Sequence, residues 1–283
     1  MAENSALLNA RLEYGRAYRL GQKEYNTLTS HQQRGNLLVL DELTGQGRIM
    51  AYVKQQEREI PLRRVVGTYT SSRAYSFSAG FLPLHPEGSE FSAKWILLCA
   101  SHMQEGLRDA IQVYEYLWNY YVVEGNKRVS VLKYFGAPSI RAEITRLVPQ
   151  LDKDEPLSKV YYAFLKYDRV GLFKNIQMSR PEKYVELLEL EKKLLTKFDE
   201  GNEPRNLNTM MIRFEEVYAA TDGRLPVGDA LLEYLKLFGL ITDTSASVLE
   251  ERIKSLVPQL RLTESPSSEP QLVLETGDEA PPP

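Results

Sequence analysis

A chain of 283 residues, 43% hydrophobic and 10% aromatic, is long enough for one large domain or two ordinary ones and rich enough to bury a core, which excludes disorder throughout. Lys+Arg 35 against Asp+Glu 38 gives a net charge of -3, which argues against a broad nucleic-acid-binding face without excluding DNA as a partner. Five of the acids (Glu264, Glu269, Glu275, Asp278 and Glu279) lie in residues 262–283, which hold no Lys or Arg, so the rest carries 35 cations against 33 acids.

The opening "MAENSALLNARLEYGRAY" has charges throughout and no apolar core of a signal peptide. No run approaches the ~20 apolar residues of a membrane span. Cys99 stands alone and forms no internal disulfide, which fits a reducing cytoplasm. His31, His85 and His102 are widely spaced and make no metal motif. The expectation is a cytoplasmic protein without a membrane or zinc site.

Residues 5–34 place Leu7, Leu8, Leu12, Tyr18 and Tyr25 at roughly helical intervals and predict a helix stopped by Gly35. "NLLVLDELTG" is a short apolar segment ending in Gly45. "GRIMAYVKQQEREIPLRRVVGTYT" reads as extended, with Pro61 and Gly67 as punctuation. "SSRAYSFSAGFLPLHPEGSE" (71–90) reads as a long loop. Ser89 then caps a helix in which Trp95, Leu98 and His102 share a face and Cys99 is core.

"AIQVYEYLWNYYVVEG" predicts two strands with a turn near Trp118 and Asn119. The aromatics Tyr114, Tyr116, Trp118, Tyr120 and Tyr121 put one face of that pair into the core, with base stacking the alternative for the other. "NKRVSVLKYFGA" is a helix closed by Gly136, and "PSIRAEITRLVP" alternates as one more strand. From Asp152 onward come five amphipathic helical patterns, of which "ELLELEKKLLTKF" reads as a solvated surface helix. The last two resemble a helix-turn-helix in length, but the second has few cations, so packing of two core helices is the better reading. "ITRLVPQL" (144–151) and "IKSLVPQL" (253–260) echo each other without making a repeat.

The fold class is therefore α+β: an N-terminal helical segment (1–44), a small mixed-sheet domain (45–150), an all-helical subdomain (151–260) and a disordered acidic, Pro-rich tail (261–283).

"YYVVEGNKRVSVLKYFG" (120–136) holds the candidate site. A strand, a glycine turn and a helix opening with cations is the geometry that grips an anion. Cations in a first helical turn oppose the helix dipole unless an anion sits there. Gly125 permits close approach, Asn126 caps the helix, and Lys127 and Arg128 neutralise phosphate. The alternative is a solvated helix start.

Ile60-Pro61-Leu62, Arg73, Gly106 to Ile111 and Glu124 to Arg128 follow one another at spacings that resemble the ParB/sulfiredoxin-like superfamily, over about residues 55–150. More narrowly, "EGNKRVSVLKYFGAPSI" with five helices after it is similar to the amino-terminal region of some clostridial-type proteins. There such a domain precedes a basic-membrane-protein type substrate-binding domain. No second domain of that kind is expected within these 283 residues, and the tail has the composition of a linker to one.

The resemblance implies a bacterial cytoplasmic protein that holds the phosphates of CTP, ATP or ADP, with Mg²⁺. Gly125 and Arg128 match the family's Gly and final Arg, Lys127 takes a position usually held by Arg or His, and Glu124 stands where one branch has its Asp. Glu124 is thus the catalytic candidate for NTPase or kinase-type turnover, with an ion-pair partner for Lys127 or Arg128 as the alternative. Arg73, Gly106 and Arg108 complete the implied binding set. Three departures stand out. Asn126 replaces the sulfiredoxin cysteine, "SKVYYAFLKYDRVG" lacks the ParB E-N-x-x-R motif, and Ala110 replaces the proline of the helix–strand turn. The competing reading is a catalytically inactive protein-interaction or DNA-associated module, with a protein partner or a second copy in place of the nucleotide.

Overall fold

A computed structural model describes residues 2–44, 48–196, 207–221, 223–240 and 245–263. Gly45 and residues 264–283 of the expected tail lie outside that set. The class is α+β, with helices and one mixed seven-stranded sheet.

Helix α1 (Ala2–Ser30) leads to strand β1 (Leu38–Val39), the short helix α2 (Leu40–Thr44) and strands β2 (Ile49–Lys54) and β3 (Arg58–Pro61). A 3-10 turn (Leu62–Arg64) enters β4 (Val65–Thr68), followed by the one-turn helix α3 (Ser71–Ala74) inside the expected loop. Helix α4 (Glu90–Glu105) begins at Ser89, whose hydroxyl accepts from Ser92 N as expected of a cap. Strands β5 (Ile111–Tyr116) and β6 (Asn119–Glu124), helix α5 (Asn126–Tyr134) and strand β7 (Ser139–Pro149) complete the sheet half.

The sheet order is β1-β4-β6-β5-β7-β2, with β3 also paired to β7. Strands β1, β4 and β6 run parallel, and β5 returns antiparallel to β6. Val39 pairs with Thr68, and α1 packs Ala10, Tyr14 and Ala17 against Trp95 and Cys99 of α4, so residues before 45 are built into the sheet half.

Alternation along β7 buries Ile140, Ala142, Ile144 and Arg146 on one face. Val113, Tyr120 and Val122 join that face and meet Val129 and Leu132 of α5. The other face carries Tyr121, Leu147 and a half-buried tyrosine row, in which Tyr114 packs edge-on against Tyr52 and Tyr69 at 6.0 and 5.0 Å between ring centroids. So the aromatics do divide between faces: Tyr120 is core on the helix side, and Tyr114 and Tyr116 lie on the open side with the buried Tyr121.

The five C-terminal patterns form α6 (Pro156–Asp168), α7 (Glu182–Leu195), α8 (Leu207–Ala219), α9 (Val227–Phe238) and α10 (Ala246–Thr263) around one apolar cluster. Helices α9 and α10 both contribute to it, which is the expected packing of core helices. Helix α7 departs from its expected surface role at Glu191, which is buried and accepts hydrogen bonds from Tyr167 Oη and Leu172 N. A charged letter in a polar run turned inward because two donors from the preceding helix and loop were there to meet it.

The β5–β6 turn falls at Leu117 and Trp118, one residue earlier than expected, with φ of 48° and 63°. Left-handed backbone at two bulky residues costs about 1–3 kcal/mol each. Burial offsets that cost: Trp118 inserts into the helical cluster, edge-on to Tyr161 at 5.0 Å. The hairpin tip therefore belongs to the helical half.

Two ionic contacts tie the halves together. On the buried register, Arg146 of β7 faces Glu115 of β5 and also reaches Asp168 of α6 at 2.8 Å. Arg64 grips both carboxylate oxygens of Glu215 on α8, at 2.9 and 2.6 Å.

Lys133 of α5 donates to Val65 O at 2.8 Å and lies over the Phe81 ring. Burial pulls its ammonium down from 10.5 to about 8, partly opposed by Glu24. Between those values the unfolded chain binds more protons than the native one, so stability rises with pH from about 8 to 10.5. Lys133→Met is expected to abolish that rise, an effect of at most about 3.4 kcal/mol at 1.36 kcal/mol per pKa unit. Urea unfolding at pH 7.5 and 10.5 checks it, and an equal rise in both proteins would refute the assignment.

Candidate functional site

Strands β4 and β6 are parallel neighbours, so the segments leaving their carboxyl ends, 69–73 and 125–128, emerge side by side. That edge of a sheet is where strand–turn–helix units expose free backbone N–H groups. At the end of β6, Gly125 has φ 106° and ψ 17°, a backbone that L residues avoid. A Cβ there would also collide with Ile111 Cγ2.

Gly125, not Asn126, is the N-cap of α5, and no side chain caps the helix. Asn126 is already its first helical residue, because the glycine's left-handed turn brings the chain into the helix one residue sooner. The first intrahelical bond runs from Val129 N to Gly125 O at 3.1 Å, which leaves the N–H groups of Asn126, Lys127 and Arg128 without intrahelical partners. Asn126 is buried, and its Oδ1 has no hydrogen-bond partner.

The cations of the motif diverge. Lys127 Nζ lies 4.6 Å from the Phe91 ring centroid, beside the start of α4. Its pKa is lowered by burial, then by Arg73 and Lys94, with Glu90 opposing. Glu90 is itself paired with Lys94 at 2.6 Å, and that partner holds its carboxyl below the usual range. Of the charges that act on Lys127, Arg73 and Lys94 are cations, and the acid Glu90 is engaged by Lys94. Arg73 is exposed on α3, next to the hydroxyls of Ser71 and Ser72.

Arg128 turns the other way. Its Nη1 donates to Asp109 O at 3.1 Å and Ala110 O at 2.6 Å, which fastens α5 to the turn after α4. That turn does face the glycine box, as expected, but through its carbonyls and not through Arg108, which is exposed. Gly106 closes α4 with φ 79°, a helix length of about 24 Å from Glu90. Glu124 is exposed at the end of β6, opposite Gln112, and makes no ion pair with Lys127 or Arg128.

The structure thus brings Arg73 and Lys127 together, adds Glu90, Phe91 and Lys94, and leaves Gly106 and Arg108 apart. Nothing in the sequence pointed to Phe91 or Lys94; only the folding of α4 beside α5 puts them there.

Two other features bear on chemistry. Burial raises the Cys99 thiol to about 12, so it is unreactive at neutral pH. A groove of about 360 Å³ on the open sheet face lies away from the cation cluster; it is lined by Lys54, Gln112, Tyr114, Val123 and Glu143, among others. Among the described residues no group of three or more His, Cys, Asp or Glu could hold a metal, and no helix is long and apolar enough to cross a membrane. A scan against protein-family models finds no match, and a search of curated proteins finds none either.

Proposed function

We propose that the protein binds a nucleotide or another phosphate ligand on the ledge formed by the starts of α3, α4 and α5. One observation carries this reading: Lys127, whose charge is disfavoured by Arg73 and Lys94, stands at a helix N-terminus with three N–H groups lacking intrahelical partners, and the acid that acts on it, Glu90, is already engaged by Lys94. Like charges held at the positive end of a helix raise the energy of the empty site, and a bound phosphate reverses every one of those signs. The buried Asn126 Oδ1 adds an unused acceptor next to the donors, suited to a ribose hydroxyl or a magnesium-bound water. The resemblance to the ParB/sulfiredoxin-like superfamily supports the same ligand class and a bacterial cytoplasmic setting. Lys127, Arg73 and the α5 amides contact phosphate, Gly125 permits the approach, and Arg128 positions the helix.

Isothermal calorimetry of CTP, ATP and ADP with Mg²⁺ tests the reading. Wild type is expected to bind at least one of them. Lys127→Ala and Arg73→Ala should each weaken binding about tenfold to a hundredfold, the value of a charge-assisted hydrogen bond. If wild type binds none of the three, the nucleotide reading falls, and the inactive interaction module takes its place. Where binding is found, phosphate release by Glu124→Gln decides turnover: a rate equal to wild type removes Glu124 from any catalytic role.

A further inference from the structure

The groove on the open sheet face holds charge that the protein does not use. Its floor is the parallel pair β5–β7, in which Gln112 lies beside Glu143 and Tyr114 beside Thr145. Lys54 of β2 stands on one side, next to Thr145, and Val123 of β6 on the other. Four neighbouring strands at about 4.8 Å spacing make it roughly 14 Å across. At about 360 Å³ it falls at the small end of ligand sites.

The charges along it are unequally matched. Glu57 also lines the groove, but Arg141 already pairs with it. Lys54 and Glu143 are both exposed and stand diagonally across β2 and β7, since Lys54 pairs with Thr145 and Glu143 is two positions further along. That diagonal, about 7–8 Å, is short enough for two long side chains to meet. Among the described residues neither makes an ion pair. Gln112 Nε2 lies 3.5 Å from Glu143 Oε2, the outer limit of a hydrogen bond. An exposed Lys–Glu contact across the gap would contribute little, so a ligand that keeps the two apart costs the protein little.

A cation and an acid on one face, close and unengaged, match a molecule that carries the opposite pair of charges. Tyr114, its ring edge-on to Tyr52 and Tyr69, and the exposed Val123 add apolar surface beside them. We propose that the groove binds a free α-amino acid with an aromatic or large aliphatic side chain. Its carboxylate meets Lys54 and the Thr145 hydroxyl, its ammonium meets Glu143, and its side chain lies along Tyr114 and Val123. This site is separate from the phosphate ledge and stands whether or not a nucleotide binds there.

Isothermal calorimetry of the full chain with L-phenylalanine, N-acetyl-L-phenylalanine and L-phenylalaninamide tests both charges. Wild type is expected to bind phenylalanine, and each blocked form about tenfold more weakly, the loss of one charge-assisted hydrogen bond. Lys54→Met should bind phenylalanine and its amide alike, whereas Glu143→Gln should bind phenylalanine and its N-acetyl form alike. Both positions are exposed, and an unchanged unfolding midpoint checks that each variant is folded. Wild type that binds the N-acetyl form as tightly as phenylalanine overturns the proposal in favour of a peptide carboxyl terminus. No binding of phenylalanine by wild type overturns it outright, and variants that keep the wild-type ranking of the three compounds place any binding outside this groove and overturn it as well.

Discussion

Arg146→Met is expected to lower stability by about 3–5 kcal/mol, enough to unfold a protein of ordinary stability. The guanidinium lies between Glu115 and Asp168, all three groups being at most 5% exposed, so its removal strands two carboxylates away from water. Glu115 shows the pressure already: burial raises its carboxyl, and Arg146 is the chief opposing influence. Arg146→Lys should lose much of the same stability, since a single ammonium cannot fork between two acids. Changing all three to apolar residues of similar volume should recover most of it, because the cost lies in the unpaired charges and not in the lost pair. Urea unfolding of the set gives the comparison. For scale, Lys254→Ala, which breaks an exposed, solvent-screened pair with Glu250, should leave the unfolding midpoint essentially unchanged. An Arg146→Met protein as stable as wild type would mean that the buried triad contributes nothing.

Gly125→Ala is expected to damage stability and ligand binding together. Two separate penalties meet at this position: a left-handed backbone costing about 1–3 kcal/mol, and a methyl group driven into Ile111. Relieving the clash requires moving the turn, and with it the free amides of α5. Gly88→Ala is the matched control, because φ is 89° there with nothing within 4 Å of the added carbon. The control should lose only the backbone penalty and keep its ligand affinity. If Gly125→Ala binds as tightly as wild type, the turn is not where the ligand sits.

The elements that were legible in the sequence are those with one strong local pattern. Ser89 marked the start of α4, Gly136 the end of α5, and the alternation from Ile140 onward marked β7. What stayed hidden depends on partners far along the chain. Arg146 follows the β7 alternation into the interior only because Glu115 and Asp168 are waiting, from strands and helices 31 and 22 residues away. Glu191 is buried for the same kind of reason. The echoed "LVPQL" makes the point most directly. At 147–151 it closes β7, and at 256–260 it lies within α10, so the same five letters take the structure of whatever precedes them. In the candidate site, Gly125 and Lys127 were readable from the motif, whereas the divergence of Arg128 toward the 109–110 carbonyls was not, since it required knowing where α4 ends.

The buried hairpin tip gives β6 a mechanical role. One end of this strand adjoins Trp118, locked among the C-terminal helices, and the other end is Gly125. Six residues of extended chain form a strut about 20 Å long, braced by hydrogen bonds to β4 and β5 along its sides. Such a strut bends little and transmits load along its axis. A displacement of the helical half is therefore passed along this strand toward the glycine turn, where the proposed ligand would sit.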